Sequence, residues 1–135
     1  MGKPIFISYR TRDAAGHADH LFYALSECFP QQIFFDVETL QPGALWSQEI
    51  EDNVRECQVL LVVIGQDWLM CQDSKSGQRC LDRRVDWVRG EIEIALGRVP
   101  QPLIIPLLVA DAGMPEADYL PETIQALPCL QYKAI

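Results

Sequence analysis

The chain has 135 residues and a formal net charge of −8 at pH 7, with 49% hydrophobic and 22% charged residues. This length fits one domain with its own core, and the composition excludes an intrinsically disordered chain. The acidic balance argues against binding to nucleic acid, and the longest largely apolar run, residues 99–110, falls far short of the ~20 residues that span a bilayer, so neither a nucleic-acid nor a membrane partner is predicted.

The first half of the chain alternates short apolar runs with segments of helical periodicity. The pattern predicts a strand, a helix, a strand and a helix over residues 5–9, 14–29, 33–35 and 46–57. Pro30 ends the first helix, and Pro42-Gly43 marks a turn before the second helix, for which Ser47 is a candidate N-cap.

The second half continues this alternation around a polar stretch at residues 65–85, where we expect a mobile loop. Its predicted elements are a central strand (59–64), a helix (87–96), a strand (103–109), a weak helix (121–127) and a last strand (129–132). Asp86 is the candidate N-cap of the third helix, and Gly97 is its candidate end. Pro106 lies inside the fourth strand, so a local irregularity is expected there.

Strands that alternate with helices predict a flavodoxin-like α/β fold. The expected architecture is a single domain with a doubly wound, five-stranded parallel sheet in the order 2-1-3-4-5. Ligands of such sheets bind beyond the carboxyl ends of the strands, near the reversal of strand order between strands 1 and 3. The residues that follow strand 1, Ser8-Tyr9-Arg10, include no glycine-rich phosphate-binding loop.

Neither metal binding nor disulfide bonding is predicted from the histidines and cysteines. The five cysteines are odd in number and form no Cys-x-x-Cys, which predicts free, mostly buried thiols in a cytoplasmic protein. His17 and His20 lie one turn apart, but on the polar face of a helix. Four arginines are either solvated side chains or a local anion-binding patch: Arg79, Arg83, Arg84 and Arg89.

Four segments, taken in order, resemble the TIR (Toll/interleukin-1 receptor) domain over about residues 4–133. They are residues 6–10 (box 1), 34–46 (second strand and BB loop), 86–92 (the third helix of members that cleave NAD⁺) and 105–108 (the fourth strand, which commonly carries a proline). Gln41 precedes Pro42-Gly43 where many receptor-type members carry Arg-Asp, which favours the bacterial NAD-cleaving branch. The family's last helix is expected to be missing, so residues 1–135 are interpreted as a TIR domain, either by itself or as a fragment of a longer sensor–effector protein.

This resemblance implies an NAD⁺ glycohydrolase or cyclase of bacterial antiphage immunity or signalling, which self-assembly activates. The products would be nicotinamide and linear or cyclic ADP-ribose, with NAD⁺ as the substrate and with no cofactor or metal. Glu91 would be the catalytic carboxylate, with Trp87 four residues earlier on the same helix face. The implied substrate contacts are Ser8, Tyr9, Arg10, Asp36, Leu40, Leu45, Trp46 and Trp87.

The implied partners are further copies of the domain, bound through the BB loop, and a fused or separate sensor domain. Two alternatives remain open at this point. The domain could be a non-catalytic scaffold for TIR–TIR contacts, because the BB-loop Pro42-Gly43 also suits that role. It could also cleave another N-glycosidic bond, as enzymes of the nucleoside deoxyribosyltransferase type do.

Overall fold

A computed structural model describes residues 3–35, 46–83 and 86–135, with the backbone alone at Trp46 and Ser47. Its five strands form one parallel sheet in the order β2-β1-β3-β4-β5, which confirms the predicted fold class and strand order. The strands are β1 (Ile5–Ser8), β2 (Ile33–Phe35), β3 (Val59–Ile64), β4 (Leu103–Leu108) and β5 (Lys133–Ala134). The α-helices described are α1 (Thr11–Cys28), α2 (Trp46–Glu56) and α3 (Trp87–Gly97).

The central strand β3 divides the core into two layers because its side chains point alternately to opposite faces of the sheet. Leu60 and Val62 belong to a cluster with buried side chains of α2 and α3, whereas Leu61 and Val63 pack with residues of α1. Helices therefore cover both faces of the sheet, which explains why β3 is a continuous apolar run rather than an alternating one.

Pro106 sits in an unbroken register of β4 with β3, so the expected irregularity is absent. The Leu103 amide donates to the carbonyl of Gln58, just before β3, and the Val109 amide donates to the carbonyl of Ile64 at the end of β3. Amides alternate in direction along a strand. The Pro106 nitrogen therefore faces β5, whose pairing with β4 begins only at Leu107. The missing N–H of proline removes no ladder hydrogen bond at this position.

The C-terminal segment corrects two sequence predictions. The weak helix expected at 121–127 is replaced by short 3₁₀ turns, and β5 lies at 133–134 rather than at 129–132. Pro121 and Pro128 interrupt any regular helix here. The turns still bury apolar side chains against the α2/α3 layer, namely Leu120, Ile124 and Leu127.

The stretch expected to be a mobile loop contains ordered local structure in its described part, 65–83. Gln72 and Arg79 form an antiparallel bridge, and the carboxylate of Asp73 accepts hydrogen bonds from the backbone amides of Lys75 and Ser76 at 3.2 and 2.8 Å. This carboxylate also accepts from the Ser76 hydroxyl at 2.9 Å. We call residues 71–80 the hairpin below.

The arginines of this region pair with acidic side chains, which argues against an open anion-binding patch. Arg79 binds Asp82 at 2.8 Å, and Arg83 binds Asp73 at 3.2 Å. Arg89 binds Glu93 at 2.9 Å. Arg84 lies outside the described residues.

A carboxylate of α1 fastens this helix to the turn after β3. Asp13 accepts hydrogen bonds from the backbone amides of Gly65 and Asp67 at 2.7 and 2.8 Å. A Cβ atom at Gly65 would overlap the Asp13 carboxyl group. Glycine is therefore required at this strand end by close approach rather than by an unusual backbone angle.

The thiols are less buried than the sequence predicted. Cys57 and Cys80 are buried, Cys71 is half-buried, and Cys28 and Cys129 are exposed. Among the described residues, no cluster of three or more potential ligands could hold a metal ion, and no helix is long and apolar enough to cross a bilayer.

A candidate active site at the start of the third helix

The first turn of α3 is fixed by its N-cap, as the sequence predicted. Asp86 has an extended backbone conformation, and its side chain accepts a hydrogen bond from the Arg89 amide at 3.1 Å. This bond satisfies one of the amides that a helix start leaves without a partner. The cap sets where the helix begins, and hence where Trp87 and Glu91 lie along it.

The same carboxylate makes a second, buried contact that the sequence did not reveal. Arg10, just after β1, donates from both terminal nitrogens to the two Asp86 oxygens, each at 2.9 Å. Arg10 is 8% exposed and Asp86 9%. Burial alone would lower the pKa of Arg10, but its hydrogen bonds and charge attraction to Asp86 hold that pKa above its ordinary value. The guanidinium therefore remains charged and anchors α3 to the end of β1.

Trp87 and Glu91 line one cavity of about 130 Å³ between α3 and α2. Glu91 is only 5% exposed, whereas Trp87 is 39% exposed. The neighbouring positions Val88 and Ile92 point into the core beneath the helix. The cavity thus places a nearly buried carboxylate beside an accessible indole, as their four-residue spacing predicted, and is lined by Ile50, Glu51, Trp87, Gly90, Glu91 and Ile94.

Glu51 of α2 is a second carboxylate in this cavity, and sequence reasoning missed it. It forms an ion pair with Arg55 at 3.1 Å, and its side chain is 40% exposed. In the sequence this pair looks like an ordinary i,i+4 surface contact. Only the packing of α2 against α3 shows that Glu51 shares a cavity with Glu91.

The three predicted contacts at the end of β1 lie in different environments. Ser8 is 1% exposed, and its hydroxyl has no hydrogen-bond partner among the described residues. The Tyr9 ring stacks on Phe35 at 5.2 Å and packs in the α1 layer, on the sheet face opposite α3. Arg10 is held by Asp86. None of the three lines the cavity that contains Glu91.

The other predicted contacts fall largely outside the described residues. Asp36, Leu40 and Leu45 lie in the segment 36–45, which is not described. Trp46 begins α2, but only its backbone is described. Of the predicted site residues, the structure therefore brings Glu91 and Trp87 together. The substrate contacts predicted in segment 36–45 stay a prediction.

Comparison with known proteins decides the family. The family model described as "TIR domain" matches residues 5–133, which is nearly the whole chain. The chain belongs to the TIR domain family. The sequence segments that resemble box 1, the BB loop, the third helix and the fourth strand all fall inside this match.

Solved TIR domains share the fold of this TIR domain at low sequence identity. One is the TIR domains of the activated Roq1 resistosome, with 20% identity, a TM-score of 0.60 and coverage of 93% of this chain and 67% of that chain. Another is the TIR domain of the Toll-related receptor TRR-2 from Hydra magnipapillata, with 16% identity, a TM-score of 0.62 and coverage of 98% and 83%. No curated protein matches the chain.

Proposed function

We propose that this TIR domain cleaves the bond between nicotinamide and ribose in NAD⁺, with Glu91 as the catalytic carboxylate. The observation that carries the proposal is the nearly buried Glu91 beside the accessible Trp87 in one cavity at the start of α3. Glu91 is only 5% exposed, and glutamate side chains are seldom buried to this extent. The resemblance of residues 86–92 to NAD-cleaving members supports the same assignment.

The chemistry needs one carboxylate rather than an acid–base pair. When the bond between C1′ of the ribose and the pyridinium nitrogen breaks, the bonding electrons neutralise the nitrogen, and nicotinamide leaves without a proton. The ribose then carries oxocarbenium-like positive charge, which the Glu91 carboxylate stabilises. Water adds at C1′ and loses a proton to give ADP-ribose, or a nucleophile within the same molecule adds to give a cyclic product.

The other cavity residues support binding of a cationic ring. The exposed indole of Trp87 offers a flat apolar surface and a negative π-face to the pyridinium. Glu51 adds a second carboxylate to the same cavity, with its charge balanced by the ion pair to Arg55. Asp86 and Arg10 hold the start of α3 in place, so Glu91 needs little reorganisation when positive charge develops.

Self-assembly is proposed as the switch, in bacterial antiphage immunity or signalling. The same fold occurs in the TIR domains of the activated Roq1 resistosome, which directly recognises a pathogen effector. By analogy, a fused or separate sensor would bring several copies of this domain together, and segment 36–45, which includes the BB loop, would complete the substrate site. The alternative is a scaffold that assembles in the same way and turns over no NAD⁺.

The experiment is to measure nicotinamide release from NAD⁺ by chromatography, with dilute protein and with protein tethered to beads. Wild type is compared with Glu91→Gln, which removes the charge but keeps the shape. Glu93→Gln is the matched control, because Glu93 lies on the same helix but pairs with Arg89 and Thr123 rather than lining the cavity.

Release that rises on tethering, persists in Glu93→Gln and falls at least about 100-fold in folded Glu91→Gln is expected. Full activity in Glu91→Gln overturns its catalytic role. No release from tethered wild type favours the scaffold. Release of free base from deoxynucleosides, but not from NAD⁺, assigns the deoxyribosyltransferase type of reaction.

A further inference from the structure

The two arms of the hairpin bring two cysteines face to face. Gln72 and Arg79 are bridged partners, so Cys71 and Cys80 are the next opposed pair along the antiparallel arms. The Cys80 amide donates to the Cys71 carbonyl at 2.8 Å, which fixes this register. Opposed side chains project to the same face of a two-stranded ribbon, so both thiols lie on one side.

The separation suits a disulfide bond. Directly opposed antiparallel partners have Cα atoms about 4.5–5.5 Å apart, within the ~4.4–6.8 Å found in disulfides. Burial and the neighbouring Cys80 side chain both raise the pKa of the Cys71 thiol, as expected for two adjacent thiols. Both cysteines are free in this structure.

We propose that Cys71 and Cys80 form a reversible dithiol–disulfide modification site that reacts with low-molecular-weight disulfides. The two residues differ in access: Cys71 is half-buried, whereas Cys80 is 9% exposed. Cys71 is therefore the attacking thiol, and Cys80 resolves the intermediate. This inference stands independently of NAD⁺ cleavage.

The exchange balances in two steps. The Cys71 thiolate attacks one sulfur of a disulfide RSSR, which forms a mixed disulfide and expels one RS⁻. The Cys80 thiolate then attacks the Cys71 sulfur, forms the intramolecular disulfide and expels the second RS⁻. The protein loses two thiol hydrogens, and the small disulfide is reduced to two RSH molecules. Excess thiol reverses both steps.

The hairpin connects this pair to the candidate active site. Cys80 begins a 3₁₀ turn, Cys80–Asp82, and within that turn the Leu81 carbonyl accepts a hydrogen bond from Arg89 of α3 at 3.1 Å. The Arg10 guanidinium lies close enough to attract the thiolate form of either cysteine. A disulfide would thus close a covalent ring next to the contacts that hold the start of α3.

The test incubates the purified chain with oxidised glutathione and counts the remaining thiols by maleimide mass tagging after denaturation. Oxidised glutathione also modifies the exposed Cys28 and Cys129, so the thiols are counted in the variant Cys28→Ser/Cys129→Ser. This background has three cysteines and should keep one free thiol, that of the buried Cys57. In the same background, Cys80→Ser should stop at a glutathione mixed disulfide on Cys71. Cys71→Ser should leave Cys80 unmodified, because Cys80 is buried.

A lysine-specific protease gives an independent measurement of the cross-link. Lys75 is exposed and lies between the two cysteines, and the other lysines, Lys3 and Lys133, lie near the ends of the sequence, so cleavage gives two large pieces. In oxidised wild type the pieces should stay joined on a non-reducing gel and separate after dithiothreitol. Separation without reductant, or a disulfide mapped to Cys28 or Cys129, overturns the proposal. So does retention of all three thiols of the Cys28→Ser/Cys129→Ser variant in excess oxidised glutathione.

Discussion

Arg10 and Asp86 lie 76 positions apart in the chain, yet they form a two-pronged ion pair whose hydrogen bonds both measure 2.9 Å. The pair is buried, and the same Asp86 carboxylate caps α3. One side chain therefore joins the end of the first strand to the start of the helix that carries Glu91. This link explains how a site assembled from distant segments keeps its geometry.

Asp86→Ala should destabilise the fold by about 3–5 kcal/mol, because it leaves the Arg10 guanidinium buried without its partner and also removes the N-cap. Urea denaturation measures this loss. The matched control is Asp82→Ala, which breaks the more exposed pair with Arg79 and should cost less than about 1 kcal/mol. Equal losses in the two variants would contradict the buried-anchor interpretation.

Trp87→Ala should reduce kcat/KM for NAD⁺ by about 2- to 13-fold while the fold is retained, since an aromatic contact contributes roughly 0.5–1.5 kcal/mol beyond its buried area. Trp87 is 39% exposed, so little core packing is lost. Trp68→Ala is the structural comparison, because Trp68 is fully buried and its removal should cost about 3–5 kcal/mol. Steady-state kinetics and thermal melts on both variants separate the two roles.

Gly65→Ala should destabilise the protein by about 1–3 kcal/mol, because the added Cβ overlaps the Asp13 carboxyl group and disturbs its two hydrogen bonds. Gly16→Ala, in an exposed part of α1 with no atom near the added Cβ, should instead stabilise by about 0.5–1 kcal/mol. Relative to wild type, the denaturation midpoint should fall in Gly65→Ala and rise in Gly16→Ala. A stabilising Gly65→Ala would show that the Asp13 contact is dispensable.

Alkylation of Cys71 should be slow at neutral pH and accelerate as the pH rises. Burial and the hydrogen bond and charge of Cys80 raise the pKa of the Cys71 thiol, while Arg10 and Arg12 oppose this rise. A raised pKa leaves less of the reactive thiolate at pH 7, so the rate climbs through a higher pH range than for an ordinary cysteine. Iodoacetamide labelling of Cys28→Ser/Cys129→Ser, followed by peptide mass spectrometry, gives the profile. In the added Cys80→Ser background the profile should shift to lower pH.

Local pattern was enough to predict most elements of this fold. The run 59–64 is apolar because β3 is covered on both faces, and Asp86 caps α3 because its side chain reaches an amide three residues away. The C-terminal region was harder to predict. Leu120, Ile124 and Leu127 have helical spacing, but they reach the core from separate 3₁₀ turns between prolines. The helical spacing of these three residues therefore reflects their burial in the core, although no continuous helix joins them.

The sequence by itself determined the parallel sheet, its strand order, the family and the pairing of Glu91 with Trp87 on one helix face, because each depends on spacing along the chain or on motif order. The tertiary structure alone decided that Asp86 holds Arg10, that Glu51 shares the cavity of Glu91, and that Cys71 opposes Cys80. The spacing of these residues along the chain matches neither the helix period nor the strand period, so it does not predict that they meet. They arise only when the sheet brings strand ends together, α2 packs on α3 and the hairpin closes.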